Sequence, residues 1–176
     1  MRRIIILLVL VLLSAPVYAQ RVNIDFPGLA ERAAETVDVT LDGPMLKLAS
    51  KFLSDDDSDE RAARDIVRQL AGIYVRSYTF DKEGDYDRSA VDRIRTQLGP
   101  SWQKIVNVRS RTAENVEIYV DSKGGETPAG MLIISAEPKE LTVVNLVGPI
   151  DLDRLTSLEG QFGIPHVSRE KEKGVK

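Results

Sequence analysis

The chain is predicted to fold as an α+β domain: a largely antiparallel sheet of about six strands with helices covering one face. Three observations carry this. Helix-period apolar stripes dominate the first half of the chain, whereas closely spaced strand-like segments fill the stretch from Trp102 to Val147. Turns that short suit antiparallel neighbours, because a parallel crossover needs a dozen or more residues. The third observation is Glu140–Phe162 (ELTVVNLVGPIDLDRLTSLEGQF), where a β-branched run meets a Gly-Pro break and then leucines every three residues. That is a strand handing over to a short amphipathic helix, the minimum unit that closes a core.

Taken in order, Gln20–Glu35 reads as a lead-in and one short helix, with Phe26-Pro27-Gly28 as its turn and Leu29, Ala30, Ala33 and Ala34 at helical spacing. Thr36–Leu41 alternates with period two, placing Val37, Val39 and Leu41 on one face of a half-buried strand. Gly43-Pro44 ends it, and Met45, Leu48, Ala49, Phe52 and Leu53 form the clearest helical stripe in the chain. The acidic run Asp55–Glu60 precedes a helix with Ala62, Ala63, Ile66, Val67 and Leu70 inward. Such a run suggests calcium. Counted as an EF-hand loop from Asp55, however, the sixth and twelfth positions hold Glu60 and Ile66, where glycine and glutamate are required. A solvated helix cap, favoured by the dipole and the unpaired N–H groups, is the better reading.

Ile73–Phe80 is a strand, Asp81–Asp85 a loop, and a helix with Val91, Ile94 and Leu98 inward stops at Gly99-Pro100. Strands follow over Trp102–Arg111, Asn115–Asp121, Gly130–Ala136 and Leu141–Val147, a four-strand meander with turns at Lys123–Glu126 and Glu137–Glu140. Val39–Met45 and Val144–Ile150 share a strand, a Gly-Pro and an apolar residue in register. A duplicated βα unit and a commonplace strand exit explain that match equally well.

The N-terminus speaks to compartment. Arg2 and Arg3 precede the apolar run Ile4–Leu13, and Val17-Tyr18-Ala19 supplies small residues at the −3 and −1 positions of a cleavage site. Ile4–Ala19, broken by Ser14 and Pro16, is short of the ~20 residues a spanning helix needs. Residues 1–19 are therefore read as a signal peptide, residues 20–165 as a single domain, and residues 166–176 as a charged tail expected to be disordered. Cleavage would leave 157 of the 176 residues, and removing two arginines would leave 22 bases against 27 acids, a charge of −5. That balance argues against a nucleic-acid partner. The absence of cysteine excludes both a lipid-attached cysteine and disulfide stapling.

No catalytic, cofactor-binding or metal-binding residue is assigned, and no cofactor is expected. His166 is the lone histidine and sits beside the tail, Lys123-Gly124-Gly125 has no following helix to cradle phosphate, and a zinc site would need mostly carboxylates. Asn145 interrupts an apolar run and is read as a buried amide bonded to backbone. One binding surface is nominated. Alternation in Ile73–Phe80 puts Tyr74, Arg76, Tyr78 and Phe80 on one face, and Tyr119 has the outward parity of its own strand. If helices cover the Val75 side, then Tyr74, Arg76, Tyr78 and Tyr119 form an open face rich in hot-spot residue types. Ordinary cross-strand pairing is the competing account, and so is the inverted parity, with the bulky Tyr74 and Phe80 turned to the core.

Leu41–Ala49 (LDGPMLKLA), Ala136–Asp151 (AEPKELTVVNLVGPID) and, between them, Ile73–Asp81 resemble the domain of unknown function 4252 family, small exported bacterial proteins. The resemblance covers about Pro27 to Pro165. It implies export and one domain and brings no catalytic residues. Some family members look like lipoproteins, from which this chain departs in lacking cysteine. The expected function is thus that of an exported, soluble, periplasmic or extracellular protein. It would act as a non-enzymatic binding or interaction domain for a protein or small-molecule partner in the envelope, without stable membrane insertion after cleavage. A carboxylate-based or metal-dependent hydrolase is the alternative.

Overall fold

The computed structural model describes residues 21–53, 58–87, 89–110 and 114–151. The expected signal peptide, Asp55–Asp57, the helix expected over Leu152–Leu158 and the charged tail lie outside the described residues.

The six expected strands form: β1 (Glu35–Asp42), β2 (Gly72–Thr79), β3 (Trp102–Val108), β4 (Asn115–Asp121), β5 (Gly130–Ala136) and β6 (Glu140–Val147). They make one sheet of order β1-β2-β6-β5-β4-β3 in which every neighbouring pair is antiparallel. The meander β3–β4–β5–β6 follows from its short turns. β6 then lies beside β2 and becomes central, while β1 and β3 are the edges. β3 is shorter than its sequence suggested and carries a bulge between Lys104 and Val106, which leaves Ile105 49% exposed.

Four helices are described: α1 (Pro27–Ala30), α2 (Gly43–Ala49), α3 (Ser58–Gln69) and α4 (Ser89–Arg95). The Asp42 carboxylate caps α2 by accepting the Met45 N–H at 3.3 Å. The helices are shared between both faces of the sheet, not gathered on one. On one face Tyr74, Tyr78, Leu132, Ile134, Leu141 and Val143 pack under the segment Val22–Leu29 and under Ala90, Val91 and Ile94 of α4. On the other, Leu41, Ile73, Leu146, Met131 and Val120 pack with Leu46 of α2, with Ile66, Val67 and Leu70, and with Ile150. The reason is residue size. β2 carries large residues on both parities, and its buried aromatics Tyr74 and Tyr78 gain a cover of their own beneath Val22–Leu29 and α4.

Candidate functional site beneath the N-terminal segment

Residues 21–26 alternate exposed and buried one by one, the period of an extended chain, with Val22, Ile24 and Phe26 at 3%, 2% and 4% exposure. They pair with no strand and are held by side chains. The Asn145 Oδ1 accepts the Val22 N–H at 3.0 Å while its Nδ2 donates to the Met131 carbonyl at 3.2 Å. Gln97 grips Asn23 at both main-chain groups: its Oε1 accepts the N–H and its Nε2 donates to the C=O, each at 3.0 Å. The Arg76 Nε donates to the Asp25 carboxylate at 2.7 Å, and the Tyr78 hydroxyl accepts the Phe26 N–H at 3.3 Å. The Arg21 guanidinium stands 4.0 Å over the Tyr74 ring, and Phe26 meets Tyr78 edge-on at 6.2 Å. Four side chains from β2, β6 and the turn after α4 thus read the main chain and one acid of a five-residue peptide.

This revises the nominated surface. Tyr74, Arg76, Tyr78 and Tyr119 are 8%, 7%, 2% and 7% exposed, so they do not form an open face. The inverted parity holds, because bulky aromatics gain most from burial and the N-terminal segment supplies the cover. Tyr74, Arg76 and Tyr78 do touch an extended chain, and it is the protein's own. Tyr119 is in the cross-strand row Tyr74–Asn145–Leu132–Tyr119, three strands from Tyr74 and so about 14 Å away. Asn145 is the buried amide expected, bonded to backbone on both sides. Gln97 and the segment itself escaped the sequence reading. The signal available for the segment was the alternation of Val22, Ile24 and Phe26 just before Pro27.

Tyr119 belongs to a second cluster. Glu117, 5% exposed, takes two hydrogen bonds from Arg95 at 2.7 and 3.0 Å, one from the Tyr119 hydroxyl at 2.7 Å, and an ion pair from Lys104 at 3.2 Å. Burial opposes its charge, but the hydrogen bonds from Arg95, Tyr119 and Lys104 overcome that and hold the carboxyl down at about 2. Burial, reinforced by Glu117, pushes the Tyr119 phenol up. Arg76 is similarly saturated: besides Asp25 it pairs with Asp38 and donates to the carbonyls of Val75 and Val39. Among the described residues no group of three or more His, Cys, Asp or Glu side chains is placed to hold a metal ion. Nor is any helix there long and apolar enough to cross a membrane.

Fold and site together define a class: an antiparallel α+β sheet protein that cradles an extended segment of its own chain. The chain belongs to the family described as Domain of unknown function (DUF4252), whose model matches residues 31–158. No curated protein and no solved structure matches it. The matched span holds all six strands and the four cradle residues, Arg76, Tyr78, Gln97 and Asn145; the segment they hold lies before it.

Proposed function

We propose that this is an exported, non-catalytic binding domain, released after Ala19, that recognises an extended segment through the cradle of Arg76, Tyr78, Gln97 and Asn145. The observation that supports it is main-chain recognition by side chains: a cradle that holds N–H and C=O groups accepts many sequences, with apolar pockets at alternate positions setting preference. Bond-breaking chemistry finds less support. Glu117, the most deeply buried glutamate of the sheet, is saturated by donors and ionised far below neutral pH, which suits a structural anion better than a general acid. The cavity of about 440 Å3 between α2 and α3 is lined by Gly43, Leu46, Lys47, Ser50, Lys51, Val67, Arg68 and Leu70, so no acids gather there.

A tethered segment competes at an effective concentration in the millimolar range. A chain beginning at Pro27 should therefore bind a labelled peptide of residues 20–27 at least about tenfold more tightly than the mature chain does. A Pro27 chain that is folded by circular dichroism yet ignores the peptide would sink the cradle reading. Export is tested separately by intact mass of the secreted form. Loss of Met1–Ala19 is the expected result, and a mass that retains them, or fractionation with membranes, refutes it.

A further inference from the structure

Among the described residues, helices cover the face of the sheet opposite the cradle over only part of its length. Beyond them the register aligns Val39, Val75, Val144, Ile133, Ile118 and Val106 in one row across all six strands, each half-buried. Val39, Val75, Val144 and Val106 belong to neither core cluster. The next row runs Val37, Ser77, Thr142, Ser135, Val116 and Val108, polar in the middle and apolar toward the two sheet edges, where Val37 and Val108 are 42% and 51% exposed. Two rows across six strands measure roughly 29 by 14 Å, about 400 Å2. α2 carries an apolar stripe that no described residue covers fully: Met45, Leu48 and Phe52 recur along it and its continuation at 47%, 48% and 81% exposure.

Charge is segregated along the same face. At the helix end Lys47, Lys51 and Arg68 surround the groove between α2 and α3. At the far end stand Glu35 and Glu140, both paired through Thr79, and Glu114, which accepts from the Ser135 hydroxyl at 2.7 Å. None of these six makes an ion pair with another described residue. The acids also crowd one another: burial first, then the charges of Glu140 and Glu114, push the Glu137 carboxyl up.

We propose that a second copy of this chain docks on this face, related by a two-fold axis that runs in the plane of the sheet and across its strands. Such an axis reverses the face end for end. The basic helix end of each copy then meets the acidic end of the other, and the stripe Met45, Leu48, Phe52 of each lies over the half-covered valine row of its partner. Each copy both gives and receives the same contact, as an isologous interface requires. A second copy supplies apolar helix surface and excess cations together in the right order. The sheet footprint is about half of the roughly 800 Å2 per partner of a standard interface, so the dimer belongs among weak, reversible ones. The inference is independent of the cradle, which lies on the opposite face.

The test is sedimentation of the intact mature chain across concentrations of about 1 to 200 µM, in low and in high salt. A reversible dimer that weakens in high salt is expected. Phe52→Ser, at a position too exposed to matter for folding, should raise the dimer Kd by about a hundredfold, because an anchor lost from a two-fold interface is lost twice. Lys51→Glu and Glu35→Lys should each weaken the dimer, and the two together should restore it. A chain that stays monomeric throughout, or a dimer indifferent to Phe52→Ser and to the charge swap, overturns the proposal.

Discussion

Gly148→Ala is expected to destabilise the protein by about 3 kcal/mol, whereas Gly43→Ala should leave it as stable as before or slightly more so. Both glycines precede a proline at the end of a strand, in stretches that look alike on the page. Gly148 has φ +125°, a value that side-chain-bearing residues rarely adopt. A Cβ there would sit 2.9 Å from the Ala71 nitrogen, 3.0 Å from the Leu70 Cα and 3.1 Å from the Gln69 carbonyl oxygen. Those atoms are backbone, where the chain leaves α3 for β2, and they cannot swing aside as a side-chain tip can. Backbone strain of about 1–3 kcal/mol adds to the contact. Gly43 opens α2 with nothing beyond its own chain neighbours within 4 Å of the added Cβ, so alanine there mainly trims the entropy of the unfolded chain. Urea midpoints of the two variants decide. If Gly148→Ala unfolds within about 0.5 kcal/mol of the parent, the junction is softer than its geometry implies.

The same pair of glycines shows where sequence reading stops. Val39–Met45 and Val144–Ile150 share a strand, a Gly-Pro and an apolar residue in register, yet Asp42 stands where the second stretch has Val147, and one Gly-Pro starts a helix under that aspartate cap while the other makes a left-handed bend. The strands before them differ as well: β1 pairs with β2 alone, and β6 lies between β2 and β5. Backbone conformation at glycine leaves no trace in the glycine itself, so the echo does not extend to the geometry of the two turns. Strand existence was legible throughout, because period-two alternation reports a local property, and the late meander was legible from its turn lengths. Insertion of β6 beside β2 was not, since it depends on which apolar edge finds which. The site was legible in part. Tyr74, Arg76 and Tyr78 were singled out for their residue types, and they do grip a peptide. What hid the site was its occupant: Val22–Phe26 joins no ladder, and its partners Gln97 and Asn145 lie 74 and 123 residues away. Glu117 was hidden for a related reason. A carboxylate facing the core looks like an outward residue until Arg95, 22 positions earlier, is seen to reach it.

Acid should therefore unfold this protein through Glu117 more than through any acid on its surface. The carboxyl titrates at about 2 in the fold against 4.5 when unperturbed. The folded value is the lower one, so as pH falls the unfolded chain takes up this proton first. The stability is fully present above about pH 5 and drains away as pH falls toward 2, on the order of 3 kcal/mol in all. Glu117→Gln should lower stability at pH 7 by a similar amount and flatten the acid limb of the stability curve, because the group responsible no longer titrates. Arg95→Met should cost less, about 2 kcal/mol. The Arg95 side chain is 41% exposed, so water replaces part of what it gives, and Lys104 and Tyr119 still reach the carboxylate. Urea unfolding of the parent and both variants from pH 7 down to about pH 2.5 separates these outcomes. An acid limb in Glu117→Gln as steep as the parent's would mean that other carboxylates carry the acid sensitivity and that the Arg95–Glu117–Lys104 cluster contributes little to holding α4 on the sheet.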